Sequence, residues 1–450
     1  MRNVLVVSPY FPPVNTPDMQ RVRMSLPYFA EFGWSPVVLA VEPEDAGRGE
    51  DPLLMETIPA GIPIRRVRAV PAKWTRKVGI GDVGFRAFPF LYSAGSRIIE
   101  EYDIGLIYFS TTVFWTMPLA RLWKDRFDIP VVIDMQDPWV SDYYESKPKS
   151  KRPPKYWLAR RLHKLLEPWT MRRVDGIIAV SEPYHEVLRS RYPWISRELC
   201  QTIPFGATGL DYQVAGRSRT ENAYFRKGDG WIHGVYAGAL GNATKQPTCI
   251  AICLAFKKGL AQCPELFSKV RLHFIGTDYA MGARARPTIL PVAREMGLED
   301  YIQEDPHWVP YFAVLNILRD ADFLLIPGSD NPQYTASKVY PYILAQRPLL
   351  AVFHEASSVV DVVRSTQAGE VVTFSSTSET DEVASSLAST WLRICRRLPY
   401  QPNTDWEAFE RYSAREMTRR QCELFDRVFQ LKDRHGKPFE HRPVEARLPG

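Results

Sequence analysis

At 450 residues, the chain exceeds the ~250–300 residues at which one hydrophobic core stops growing, so two or three domains are expected. A composition of 45% hydrophobic, 24% charged and 12% aromatic residues is that of a globular protein and excludes a disordered, collagenous or low-complexity chain. The net charge of +6 is concentrated. Between Ser146 and Arg173 stand Lys147, Lys149, Lys151, Arg152, Lys155, Arg160, Arg161, Lys164, Arg172 and Arg173, against one acid, Glu167. A smaller basic group, Arg65, Arg66, Arg68, Lys73, Arg76 and Lys77, surrounds Trp74. Such surfaces attract phosphate, and with no nucleic-acid module in the sequence, lipid or nucleotide phosphate is the expected partner.

The six cysteines, Cys200, Cys249, Cys253, Cys263, Cys395 and Cys422, form no CxxC pair. Neither a disulfide framework nor a structural zinc site is expected. The opening MRNVLVVSPYF reads as a first strand, and a signal peptide, whose apolar region is longer, is not expected. No stretch reaches the ~18–20 apolar residues of a membrane span. A cytoplasmic chain is expected, with peripheral contact at the inner face of the cell membrane as an option.

In chain order, compact β-branched runs at 3–7, 35–41, 62–70, 104–108, 131–134, 176–180 and 201–204 read as strands. They alternate with helical patterns near 18–32, 85–101, 114–126, 154–172 and 183–191. Thr16, Pro17 and Asp18 start the first helix, and Gly33 ends it. Residues 206–230 are polar and aperiodic, and read as a linker. The pattern restarts with strands at 231–237, 270–276, 301–304, 323–327, 349–353 and 370–374. Helices are expected near 246–260, 284–296, 309–319, 337–345, 357–366 and 381–397. A last helix near 405–430 precedes a polar, disordered tail at 433–450. The expected domains are 1–205, 231–400 and a C-terminal helix at 401–432. Alternating β and α elements with apolar strands predict two doubly wound α/β domains, each a parallel sheet covered on both faces, with a cleft between them. In such sheets ligands bind beyond the carboxyl ends of the strands.

The stretches VLVVSPYFPP, PYFAEFGWSPVVL, IPVVIDMQDPW, VDGIIAVSEPYHEVL, VYAGALGNATK, VRLHFIGTD, LRDADFLLIPG and SKVYPYILAQRPLLAV occur in the order and spacing of a known family. Over roughly residues 1–400 the chain resembles glycosyltransferase family 4, the retaining, nucleotide-sugar-dependent enzymes of GT-B architecture. The resemblance implies two Rossmann-like domains, with the C-terminal helix crossing back to the N-terminal one. It puts the nucleotide-sugar donor on the C-terminal domain and the acceptor on the N-terminal domain.

On the donor side the resemblance points to Gly238, Lys245, Gly276, Thr277, Pro327, Gly328, Ser329, Thr335, Ser337 and Lys338. Lys245 matches the family's lysine against the leaving diphosphate, while Ala239 stands where an arginine is expected. Ser337 is placed to cap a helix whose free N–H groups face an anion, with Lys338 adding charge. The family's two glutamates in this region are replaced by Gln333 and Pro341, so the ribose needs another partner, such as Asp330. The loop 305–308 resembles the one that reads the base through main-chain groups.

On the acceptor side the candidates are Asn15, Asp18, Thr111, Asp134 and Asp137. Asp134, Gln136 and Asp137 follow a buried strand, where Asp137 is expected either to bind the acceptor hydroxyl or to cap a helix started by Pro138. Gln136 takes the place of the family's histidine; it hydrogen-bonds but cannot exchange protons. Asp137, Gln136 and Lys245 are the expected catalytic set. No metal-ligand spacing is present, and His163, His185, His233, His273, His307 and His354 read as isolated. The expected activity is metal-independent, cofactor-free transfer of a sugar from a nucleotide diphosphate to a glycan or lipid-linked hydroxyl, as in polysaccharide or glycolipid synthesis. The missing Arg, Glu and His equivalents motivate two rivals: a GT-B protein that binds without transfer, or a sugar-nucleotide epimerase of the same architecture.

Overall fold

A computed structural model of the chain describes residues 1–75, 81–140, 156–218, 220–240, 245–278, 282–331 and 336–435. The chain divides into two compact units: Met1–Phe205 with the residues from Ala414 onward, and Gly206–Ser413.

The first unit is built on seven parallel strands: β1 Arg2–Val7, β2 Trp34–Val41, β3 Ile64–Val67, β4 Ile104–Ser110, β5 Val131–Met135, β6 Gly176–Ala179 and β7 Cys200–Thr202. Their order is β3-β2-β1-β4-β5-β6-β7. The order of strand addition therefore reverses between β1 and β4, which puts the topological switch point, and any ligand crevice, just past Val7 and Ser110. The residues of β4 and β5 are apolar almost without interruption because helices cover both faces, and all but Gly105 are buried. The helix expected over 18–32 is broken. A 3₁₀ turn at Pro17–Met19 and a helix at Gln20–Ser25 end before Pro27, which lacks an N–H and cannot continue the ladder; a 3₁₀ turn follows at Phe29–Phe32. Gly33 closes it in the left-handed region, with φ +80°.

The C-terminal helix is likewise two elements, Trp406–Glu410 and Ala414–His435, not one over 405–430. The second belongs to the first unit. Phe425 packs on Phe29, Trp34 and Tyr108 at ring-centroid distances of 6.2, 5.6 and 5.0 Å, and Asp426 accepts a bond from Trp34 Nε1 at 3.0 Å. This helix reaches His435, into the expected tail; 436–450 lie outside the described residues.

The second unit has six parallel strands: β8 Ile232–Ala237, β9 Val270–Ile275, β10 Ile302–Asp305, β11 Phe323–Pro327, β12 Leu349–His354 and β13 Gly369–Phe374. The order β10-β9-β8-β11-β12-β13 puts the switch point between β8 and β11. Its core closes around the fully buried Trp391, whose ring meets Phe256, Phe267 and Phe323 at 5.6–5.9 Å.

Two expectations change here. The stretch 206–230 contains the helix Gly209–Arg217, capped by Thr208. It is tied into the unit by Tyr212 Oη donating to the Pro341 carbonyl at 2.7 Å and by Asp211 accepting from Tyr311 Oη at 2.8 Å. Its buried face is only Asp211, Tyr212, Val214 and Ala215, too polar to register as a periodic pattern. The helix expected over 284–296 is a 3₁₀ turn at Gly282–Arg284 and a short helix at Leu290–Glu295, because Pro287 interrupts it. No helix among the described residues is long and apolar enough to cross a membrane.

Candidate active site

In the first unit, the ends of β1, β4 and β5 bring the acceptor-side candidates together. Asp134 is fully buried and pairs with Arg21, Nε to Oδ2 2.8 Å. Arg21 also donates to the carbonyls of Ile203 (2.7 Å) and Pro204 (3.2 Å) and stacks on Phe205 at 4.8 Å. Ser110 Oγ adds a 2.8 Å bond to Asp134. Asp134 thus holds the floor of the site and offers its Oδ2 to Arg21, Ser110 and Gln136, while its buried Oδ1 has no hydrogen-bond partner among the described residues.

Gln136 lies on that floor. Its Nε2 is within bonding distance of the Asp18 carbonyl (2.9 Å), Ser110 Oγ (2.9 Å) and Asp134 Oδ2 (3.2 Å). The amide nitrogen therefore faces inward, and the Oε1 accepts no bond among the described residues. Asp18 is buried, accepting from Thr111 Oγ1 (2.9 Å) and the Thr112 N–H (3.3 Å). Burial raises its pKa, and these bonds counter the rise. Asn15 is half-buried, and its N–H donates to the Gly49 carbonyl at 2.8 Å.

Asp137 differs from these. Its side chain reaches the surface and accepts no hydrogen bond among the described residues. Partial desolvation of its carboxyl, with the Asp18 charge adding to it, pushes its pKa up to about 6. Residues 138–140 are not helical, so no Asp137-capped helix exists among the described residues. The arrangement leaves a carboxyl poised near neutrality and an amide oxygen at one strand end.

In the second unit the turn after β8 gathers charge. Gly238 has φ +136°, and a Cβ there would collide with Lys338 Nζ. Lys338 Nζ donates to Tyr236 Oη at 2.8 Å and lies 4.6 Å from the ring centre. Tyr236 Oη donates onward to the Ala239 carbonyl at 3.0 Å, which also receives Lys245 Nζ at 2.9 Å. Two ammonium groups thus converge on one turn. Desolvation lowers the Lys245 pKa to about 8. Burial, with Lys245 beside it, pushes Lys338 well below the usual lysine range. Tyr236 carried no signal in the sequence beyond its place at a strand end.

The other donor-side candidates take structural parts. Thr277 is fully buried and donates to Glu304, whose carboxylate also caps the N–H groups of Thr288, Ile289 and Leu290 at 2.7–3.0 Å. Gly276 has φ +66°, and its N–H bonds the Asp305 carbonyl at 2.8 Å. Pro327 ends β11, and Gly328 follows it against β12: a Cβ there would meet Val352 O at 2.6 Å. Buried Ser329 Oγ accepts from the Asn331 N–H at 3.1 Å, an ordinary hydroxyl turn. Ser337 is exposed and does not cap. The helix runs Val339–Leu344 with Lys338 at its N-terminal boundary and no side-chain cap, because Pro341 fits only its first turn. Thr335 lies outside the described residues. In the loop 305–308, Asp305 holds the His307 N–H at 3.0 Å and Tyr224 Oη at 2.8 Å, leaving Trp308 exposed.

Among the described residues no group of His, Cys, Asp or Glu could hold a metal ion. The histidines are not all isolated: His233 Nδ1 and His273 Nε2 stand 3.0 Å apart. His233 is the second residue of β8 and His273 lies mid-strand in β9, both short of the strand ends that carry the candidate residues.

Two Rossmann-like parallel sheets, each with its candidate residues past the strand ends, define a GT-B protein. Solved structures agree. The chain is 14% identical to sucrose-phosphate synthase from Thermosynechococcus elongatus, covering 96% of this chain and 100% of that one, with a TM-score of 0.56. It is 15% identical to HepE of Anabaena, solved in complex with UDP-glucose, covering 95% and 100%, with a TM-score of 0.57. A putative UDP-N-acetylglucosamine 2-epimerase from Listeria monocytogenes is 11% identical over 96% and 98%, with a TM-score of 0.50. No curated protein sequence matches the chain. Residues 20–206 match the family model of the glycosyl transferase 4-like domain, a stretch that falls, but for Gly206, within the first unit.

Proposed function

We propose that the protein is a retaining glycosyltransferase that takes a sugar from a nucleotide-diphosphate donor and places it on a hydroxyl of a glycan or lipid-linked acceptor. The observation that carries this reading is the convergence of Lys245 and Lys338 on the Tyr236–Ala239 turn. Both amino groups sit at a strand-end turn, where an arriving diphosphate would meet two nitrogen donors and favour their protonated forms, and fixed cations act where the leaving group gains charge.

In the step proposed, the acceptor oxygen bonds to the anomeric carbon as the carbon–phosphate oxygen bond breaks, on the same face. The departing diphosphate oxygen takes the acceptor proton. This scheme asks for no strong base, which suits Gln136, and leaves Asp137 to orient the hydroxyl. With lysines supplying the positive charge, neither a resident metal nor a cofactor is required, and activity is expected to persist in excess EDTA. Abolition by EDTA with rescue by Mn²⁺ or Mg²⁺ defeats that part.

Ala239 and Pro341 stand where the family has an arginine and a glutamate, which favours binding without transfer as the second reading. Incubation with UDP-, GDP- and ADP-sugars separates the two. Slow release of the free nucleotide diphosphate from one donor supports a transferase, whereas saturable binding with every donor intact supports the rival. An epimerase instead returns a nucleotide sugar altered at one carbon.

A further inference from the structure

The helix Tyr156–Met171 takes no part in the chemistry above, and the structure decides which way it faces. The helix turns Glu167, Thr170 and Met171 inward. Trp157 and Leu165 are 64% and 69% exposed, and Leu158, Leu162 and Trp169 are also open to solvent. Positions 158, 162, 165 and 169 fall on one face at helical spacing. The aromatic surface extends beyond the helix: His163 meets Trp115 at 4.8 Å, and Trp115 meets Phe85 at 5.6 Å, where Phe85 and Phe90 are exposed. Clustered exposed apolar side chains on a folded unit mark an interaction site.

Charge decides what lies against it. Glu167, the one acid between Ser146 and Arg173, is fully buried, held by Arg191 Nη1 and Tyr192 Oη at 2.6 Å each. It cannot offset the outward cations. Arg161 and Lys164, both exposed, flank the leucine stripe, with Arg172 just beyond the helix. The second basic group is different, because Arg65 and Arg68 are paired with Glu101 and Asp45. Exposed cations beside exposed leucines, with a tryptophan near each end of the helix, match the pattern of an interfacial helix, in which an apolar stripe enters the acyl boundary while cations reach headgroup phosphates.

We propose that this face of Tyr156–Met171 seats the protein on an anionic lipid bilayer. The inference does not depend on the transfer reading, since seating needs no donor or acceptor.

The test is co-sedimentation of the full chain with vesicles of phosphatidylglycerol and phosphatidylcholine in equal parts, and with phosphatidylcholine alone. At low salt the protein is expected to pellet with the first and stay in solution with the second. It should be released at about 1 M salt, where the Debye length is about 3 Å. Trp157→Ser with Leu165→Ser, and separately Arg161→Gln with Lys164→Gln, should each cut the bound fraction about tenfold. All four side chains are solvent-facing, and unchanged circular dichroism checks the fold. Wild-type protein that ignores anionic vesicles overturns the proposal, as does binding that both variants retain. A wild-type dimer in sedimentation velocity that the Trp157/Leu165 variant abolishes also overturns it, by assigning the face to a second copy.

Discussion

The ammonium of Lys338 occupies the space that a side chain on Gly238 would need. Glycine therefore has two reasons to stand there: the left-handed φ of +136° and the lysine itself. Gly238→Ala should displace Lys338 and strain the turn, destabilising the second unit by about 1–3 kcal/mol. It should also weaken donor binding. Thermal melting and titration with nucleotide diphosphate check both effects, and unaltered binding would show that the lysine's position is immaterial.

Lys245→Ala and Lys338→Ala should each slow transfer on the order of 10²–10³-fold, as expected for groups facing developing charge. The two substitutions should combine less than additively, because both lysines act through the Tyr236–Ala239 turn. Steady-state rates for the singles and the double decide this, with circular dichroism confirming the fold.

The pH dependence of donor binding follows from the same pair. Lys245 has a folded pKa of about 8, below its unfolded value, so its charge is complete only below that pH. Nucleotide-diphosphate affinity should fall as pH rises through about 8, and Lys245→Met should flatten the profile. The linkage runs the opposite way for stability: the penalty of burying the charged lysine is full below pH 8 and fades as the group loses its proton. Isothermal titration across pH 7–9, roughly one unit either side of that value, reads the binding limb.

The sequence carried the parallel strands, their alternation with helices and the residues past strand ends, since each depends on local apolar runs and turn chemistry. It could not show direction. Asp134, Asp137 and Gln136 are neighbours in the chain, yet one is sealed against Arg21, one is open to solvent, and one points its amide nitrogen inward. Arg21 sits 113 positions before Asp134, so only the tertiary fold makes it a partner. Thr277 reads the same as a ligand-binding threonine until Glu304 arrives from the next strand. The stripe on Tyr156–Met171 was legible as amphipathic, but its outward orientation depends on where Glu167 finds its partners.

Breaking the Arg21–Asp134 pair should cost stability rather than chemistry. Both groups are fully buried, so Arg21→Leu leaves a carboxylate without its cation, with an expected loss of about 3–5 kcal/mol. Asp134→Asn removes the charge while keeping most of the shape. It leaves Arg21 with its two carbonyl partners and should also destabilise. Denaturant melts of the two singles and the double measure the coupling. A double variant whose loss equals the sum of the singles would show that the pair is not coupled.

Asp137 provides the acceptor-side counterpart. Its carboxyl has a folded pKa of about 6, raised above the unfolded carboxylate value by partial desolvation and by Asp18. The folded state therefore holds a proton that the unfolded state gives up, and this group's contribution to stability is fullest at low pH and is lost as pH rises through about 6. Asp137→Asn removes that dependence and should raise the melting temperature at pH 7. If the ionised carboxylate orients the acceptor hydroxyl, transfer should rise with pH through about 6 and fall on the order of 10²-fold in Asp137→Asn, with donor hydrolysis less affected. Unchanged transfer in that variant would leave Asp137 a bystander at the mouth of the site and move acceptor recognition to the oxygen of Gln136.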